Sequence, residues 1–366
     1  MKKIFLLGSG SSIGHSNGAF PSILGFFSVA HELGLYGGED TKQIHGYVRN
    51  LFGRNIFSKH TKIDIEELFT LIEIEIERNP SPELLAIRND LLKLIQEILI
   101  ILEENLPENE GEYNLFLKKL NPSDTIITFN WDILLDNILS RSDILENRYS
   151  KKNYDKIESK QYENFVDKLS AFNEATWGGI TFGPPYKEWS SKEGYYLKAH
   201  GSIDWLYCSN EACRAYRKVF PALDPRTKHF CSECHENLQL LIIPPVLNKG
   251  YRQYPVIRRI WNLAAKEMAS VKMLVIWGYS LPPTDFYASW LLRLAREAPL
   301  ERVVIINPEV ISKNKLRTNI GLSFIRRFYD LFRQKISKED IFLYETYRDY
   351  CNNMSIFEKY PLKSEI

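Results

Sequence analysis

No apolar run in this 366-residue chain reaches the length of a membrane span. The longest candidate, residues 91–106, is interrupted by Lys93, Gln96 and Glu97. The start is short of what a secretory leader needs, because the apolar part of MKKIFLLGSGSS covers only residues 4–7. A cytoplasmic protein without a membrane partner is therefore expected. Charge of one sign is missing as well. Lys and Arg number 47 against 46 Asp and Glu, a net charge of +1, so the balance points to no nucleic-acid or acidic-surface partner. There is no internal repeat and no low-complexity tract. Cysteine is scarce, five in all, and four of the five (Cys208, Cys213, Cys231 and Cys234) fall within 27 positions while Cys351 stands alone. In a cytosolic chain such clustering argues for metal over disulfides.

The rest is an ordinary soluble composition, 44% hydrophobic and 25% charged, long enough for one large or two ordinary domains. Short apolar strands are expected at 3–7, 124–130, 195–201, 238–246, 272–278 and 302–308. Helices are expected near 21–34, over 63–78, from Pro82 to about residue 105, over 254–271 and over 286–297. Ser81 reads as an N-cap with Pro82 at the first helical position. Residues 140–195 have no clear period, and WGGITFGPPY within them reads as ordered loop. Strands alternating with helices imply an α/β body built on a parallel, doubly wound sheet. In such sheets ligands bind beyond the C-terminal ends of the strands.

Short polar signatures stand at several of those ends. Gly8-Ser9-Gly10-Ser11-Ser12 follows the first strand and can place backbone N–H groups and hydroxyls against phosphates. The dinucleotide fingerprint G-x-G-x-x-G is not met, because Ile13 holds the third glycine position. TFNWD sets Asn130 and Asp132 past a buried strand, where a helix cap is the plainer alternative. KAHGS sets His200 at a strand end as a candidate general base, the alternative being a hydrogen-bonded core histidine. Gly278-Tyr279-Ser280 and Asn307 end two later strands. C-x4-C, seventeen residues, then C-x2-C suits a tetrahedral four-thiolate Zn²⁺ with no open position, a structural metal. His229 and His235 lie close enough in sequence to replace a ligand.

Taken in order, GSGSS, TFNWD, KAHGS, the four-cysteine segment, GYS and a late strand ending in Asn resemble the sirtuin superfamily. More narrowly, they resemble the bacterial sirtuin-like proteins that degrade NAD in antiphage defence. The likeness spans roughly residues 4–310. It implies a Rossmann-like NAD-binding catalytic domain over 1–310, with a helical insertion at about 40–120, a zinc-ribbon module at about 205–238, and a C-terminal extension over 311–366. Gly8, Gly10 and Ser12 match the family's G-A-G-x-S loop, which holds NAD without a third glycine. Asn130 and Asp132 match the nicotinamide-ribose motif, His200 the catalytic histidine, Gly278 and Ser280 the phosphate and ribose loop, and Asn307 the adenosine side.

Three departures separate the chain from protein deacetylases. IGHSNGAFPS lacks the arginine of their Gly-Ile-Pro-x-Phe-Arg segment. Phe129 replaces a glutamine. LLIIPPV stands where they carry a phenylalanine-glycine-glutamate strand. The resemblance therefore implies an NAD+ glycohydrolase with structural Zn²⁺, the alternatives being a deacylase or ADP-ribosyltransferase, or a non-catalytic NAD or ADP-ribose sensor. It also implies a separately encoded ring-forming ATPase or translocase as partner. The apolar run at 98–102 suggests self-association, or else an internal helical bundle.

Overall fold

The computed structural model describes residues 2–56, 58–107, 111–121, 123–140, 194–222, 226–243, 254–283, 285–308, 319–332 and 334–353. The expected WGGITFGPPY loop, residues 244–246 of the expected strand over 238–246, and Thr284 lie outside them.

Six strands form one parallel sheet: β1 (Lys3–Leu7), β2 (Thr125–Thr128), β3 (Tyr196–Lys198), β7 (Met273–Trp277), β8 (Arg302–Ile306) and β9 (Ile341–Tyr344). Their order is β3-β2-β1-β7-β8-β9. Counted within the sheet this is 3-2-1-4-5-6, the doubly wound Rossmann order, whose winding reverses between β1 and β7. The strands are apolar on both faces because both are covered. Phe5, Leu7, Val275, Trp277, Val304 and Ile306 face one core, and Ile4, Leu6, Leu274, Ile276, Val303 and Ile305 face the other. β9 belongs to the C-terminal extension and completes the sheet beside β8.

On the first face lie α1 (Ser9–His15), α2 (Phe26–Glu32), α3 (Glu39–Phe52), α4 (Ile65–Arg78), α5 (Pro82–Glu104), α6 (Glu112–Lys119), α7 (Leu134–Ser140) and α11 (Tyr347–Cys351). On the second lie α8 (Pro255–Met268), α9 (Phe286–Leu294) and α10 (Asn319–Phe332). The 23-residue α5 starts as the sequence predicts: Ser81 Oγ accepts from Leu84 N at 3.1 Å, with Pro82 next. It packs against α2, α3 and α4. Ile98, Leu99 and Ile100 are buried within the chain and Ile101 and Leu102 are half-buried, a pattern that the internal-bundle reading of this stretch accommodates. No helix among the described residues is long and apolar enough to cross a membrane.

Two expectations are corrected. The glycine-serine stretch does not remain a loop: the chain turns straight from β1 into α1, and the helix expected near 21–34 shrinks to Phe26–Glu32. The strand expected over 195–201 breaks at His200. Gly201 takes φ +77°, and a Cβ there would sit 2.2 Å from the Leu241 carbonyl oxygen, so only glycine lets the chain leave the large sheet at this point. It continues as β4 (Gly201–Tyr207), which joins β5 (Val219–Pro221) and β6 (Gln239–Ile242) in a small antiparallel sheet of order β5-β4-β6.

Candidate active site

The ends of β1, β2, β3 and β7 meet at one cleft beside the reversal in strand order. Behind an open mouth it holds a cavity of about 140 Å³, smaller than the rough 300–1,000 Å³ range of small-molecule sites. Gly8, Ser9 and Ser12 enter from β1, Asn130 and Asp132 from β2, His200 from β3, and Gly278, Tyr279 and Ser280 from β7. The helical layer closes the other side with Phe20, Phe26, Ile65 and Leu99. Gly10, Ser11 and Asn307 do not line it. Ser11 is fully buried, and Asn307 ends β8 with its N–H donated to the Tyr344 carbonyl at 3.0 Å.

The two serines of the first turn face inward. Ser11 Oγ donates to the Gly8 carbonyl at 2.7 Å. Ser12 Oγ donates to Asp132 Oδ2 at 2.7 Å. The Asn130 amide donates to both hydroxyls, at 3.2 Å for Ser11 and 2.9 Å for Ser12. The Tyr113 hydroxyl bridges the same pair at 2.9 and 3.0 Å, its ring stacked on His15 at 4.7 Å. Burial pushes the Tyr113 phenol well above its ordinary range, so it remains a donor. These hydroxyls are thus occupied in fixing Asn130 and Asp132. What this segment offers the cleft is the Gly8–Ser9 backbone and the Ser9 side chain. The close fit of the loops sets the glycines. Gly10 N donates to the Gly278 carbonyl at 2.9 Å, and Gly278, at φ +67°, could carry a Cβ only 2.1 Å from Ser11 N.

Asp132 is buried, and burial pushes its carboxyl above the usual carboxylate range, while the Lys198 ammonium and the Ser12 hydroxyl pull it back. His200 is 5% exposed. Its ring stacks on Phe129 at 4.8 Å, and Phe129 lies in turn 4.9 Å from Tyr279. The main chain around it is pinned on both sides: the Trp261 indole donates to the Ala199 carbonyl at 3.0 Å and Ile243 N donates to the His200 carbonyl at 2.9 Å. The Tyr279 hydroxyl donates to Asp285 Oδ2 at 2.9 Å, and Asp285 caps α9. The arrangement presents the His200 imidazole, the Asn130 amide and the Asp132 carboxyl beside an aromatic wall, next to main chain able to approach an anion.

Cys208, Cys213, Cys231 and Cys234 form a second centre on the small sheet, with all four Sγ atoms within 4.8 Å of one another. Two of the pairs stand at 3.7 and 3.8 Å. A tetrahedral Zn²⁺ with Zn–S bonds of about 2.3 Å separates its sulfurs by about 3.8 Å. The four thiols therefore could hold a zinc ion with little movement, and neither His229 nor His235 belongs to the set.

Sequence reading missed several participants. Tyr113 carries no local signal in α6. Lys198 sits in KAHGS itself, but nothing in the sequence shows that it is buried or paired with Asp136. The Phe20, Ile65 and Leu99 wall is assembled from three segments far apart in the chain.

No protein-family model matches the chain, and no curated protein matches it at a significant level. Among solved structures it is similar to a Sir2 homologue in complex with NAD, at 14% identity over 91% of this chain and 90% of that one, with a TM-score of 0.40. It is also similar to a mutant Sir2 homologue with ADP-ribose (13% identity, 91% and 92% covered, TM-score 0.38) and to a mutant Sir2 with a p53 peptide and NAD (12%, 90% and 92%, TM-score 0.32). Overlap this loose carries no functional argument, and the chemistry has to come from this chain's own residues.

Proposed function

We propose that the chain is an NAD+ glycohydrolase that converts NAD+ and water to ADP-ribose, nicotinamide and a proton. The observation that carries this reading is the convergence of Asn130, His200, the Gly8–Ser9 backbone and the Gly278–Ser280 loop on one cleft at the reversal point of a Rossmann-order sheet. That is where such sheets bind dinucleotides.

The bond from the ribose C1′ to nicotinamide is already activated, because nicotinamide leaves as a neutral molecule with the bonding pair. The protein then has to orient the ribose, keep out bulk water and place one nucleophile. His200 takes a proton from the attacking water or from a ribose hydroxyl. Asn130, held by Ser11 and Ser12, orients the ribose and that water. Asp132 anchors the same turn and completes the polar floor. The aromatic wall of Phe129, Tyr279, Phe20 and Phe26 excludes solvent. The Gly8–Ser9 backbone and Ser280 face the phosphates. Ser11 and Ser12 act by fixing Asn130 and Asp132. The four-cysteine centre takes a structural Zn²⁺ that leaves no open coordination position. An antiphage role through NAD depletion, and control by a ring-forming ATPase partner, rest on the motif resemblance.

Incubation of the protein with NAD+ tests the reading. Equal amounts of nicotinamide and ADP-ribose are expected. Nicotinamide release only in the presence of an acetyl-lysine peptide would replace the hydrolase with a deacylase. ADP-ribose attached to protein would make the chain a transferase. Binding without release would make it a sensor.

A further inference from the structure

Directly beneath the cleft lies a charged side chain with no access to solvent. Lys198 is 0% exposed. Its ammonium donates to the main-chain carbonyl of Asp132 at 2.7 Å and to Asp136 Oδ2 at 2.9 Å. Tyr196, two residues earlier on β3, donates its hydroxyl to the same Asp136 oxygen at 2.9 Å. Asp132, Asp204 and Glu103 also feel the Lys198 charge. Glu103 Oε2 and Asp204 Oδ1 are buried with no hydrogen-bond partner among the described residues. One ammonium thus balances a group of carboxyls in a dry pocket.

A buried pair of this kind adds little net stability, since desolvation of the two ions roughly cancels their attraction. Its geometry says more. Lys198 ends β3, and His200 follows two residues later in the turn that leads to β4. The carbonyl that Lys198 holds belongs to Asp132, whose side chain receives Ser12 and whose turn carries Asn130. We propose that Lys198 is a positioning residue: by bonding the Asp132 carbonyl and the Asp136 carboxylate together, it sets the Asn130–Asp132 turn at a fixed distance from the strand end that delivers His200. The amide and the imidazole come from different strands, which main-chain bonds already join, Ala199 N to the Thr128 carbonyl at 2.9 Å and Ile203 N to the Trp131 carbonyl at 3.0 Å; the Lys198 ammonium adds the charged side-chain tie, and it reaches the Asp132 end of the turn. For its activity readout the inference rests on the hydrolase reading; for its structural readout it does not.

Lys198→Met alone would leave Asp136 without its counter-charge and could unfold the chain. The test is therefore the double variant K198M/D136N, in which a neutral amide oxygen takes the place of the Asp136 carboxylate and still accepts from Tyr196. The spectra compare wild type, the double variant and Asn130→Ala, the last to assign the Asn130 signal, with selective ¹⁵N-asparagine labelling. The expected result is a folded double variant whose Asn130 side-chain amide signals shift or broaden. Its nicotinamide release should show kcat lower by about hundredfold, the scale set by roughly ångström misplacement, with KM for NAD+ little changed. A folded double variant with unmoved Asn130 signals overturns the inference, whatever its activity. Shifted signals in a protein whose wild type releases no nicotinamide would retire the hydrolase and leave the positioning role standing.

Discussion

His200, Asn130 and Asp132 are three polar side chains that the strand ends bring together, and each is fixed by its packed or hydrogen-bonded neighbours. Tyr113 is the clearest of these. Tyr113→Phe removes one hydroxyl shared by Ser11 and Ser12 and should destabilise the fold by about 0.5–1.5 kcal/mol in denaturant unfolding, the range for a buried hydrogen bond. An unchanged midpoint would mean that the bridge carries nothing. Glu103 makes a pH-dependent prediction. Burial, reinforced by the Asp132 charge, pushes its carboxyl from 4.5 up to about 8. Between those values the folded state holds the proton that the unfolded state has released. Its contribution is therefore complete below the ordinary glutamate value and is lost as pH rises through about 8. Glu103→Gln escapes that loss, so its melting temperature relative to wild type should climb between about pH 5 and pH 8 and level off above that. A difference that stays flat across that window would contradict the assignment. At this scale the sequence displays the chemical groups but not their orientation. GSGSS reads as hydroxyls for a phosphate, yet Ser11 and Ser12 point into the protein, because their partners Asn130 and Tyr113 lie more than 100 positions away. The burial of Lys198 was not legible either, since a lysine is almost never fully buried unless paired and its partner Asp136 lies 62 positions away on α7.

Elements were legible where burial is uniform. Strands covered on both faces read as short apolar runs, so β1, β2, β7 and β8 fall inside the expected segments, and Ser81-Pro82 marks the start of α5. α1 was not legible, because serine and glycine are indifferent or poor helix formers and its hydrogen bonds come from tertiary partners. β9 was not legible either, as a strand at the sheet edge after a long gap has no local sign of its neighbour. Two predictions belong here. The small sheet holds its cysteines at zinc-compatible spacing, and β4 starts at the residue after His200. Cys231→Ser should lower zinc content from about one ion per chain and reduce thermal stability. A folded wild-type protein with four reactive thiols and no zinc would remove the metal. Gly278→Ala should yield little soluble protein, because its Cβ would collide with Ser11 N at 2.1 Å in a left-handed backbone. Wild-type expression and melting would show that the two loops can separate freely.

Across the whole molecule, the fold class was readable from the alternation of strands and helices. The meeting of the strand-end signatures at one place was readable too, since ligands of such sheets bind beyond the C-terminal strand ends; the helical wall of Phe20, Ile65 and Leu99 was not, because it forms only when distant segments pack together. Along the 3-2-1-4-5-6 order α1 begins at the reversal point, and Gly278 meets it at backbone contact, its carbonyl accepting from Gly10 N at 2.9 Å. The same order brings Asn130 and His200, 70 positions apart, to one cleft. The most direct test is nicotinamide release from NAD+ by wild type, His200→Ala and Asn130→Ala, under conditions in which the wild type depletes NAD+, with folding of each checked by circular dichroism. The account predicts a loss of about a hundred- to ten-thousand-fold for His200→Ala, the usual contribution of a general base, with a comparable loss for Asn130→Ala and NAD+ binding partly retained in both. A folded His200→Ala protein that releases nicotinamide at the wild-type rate would contradict it.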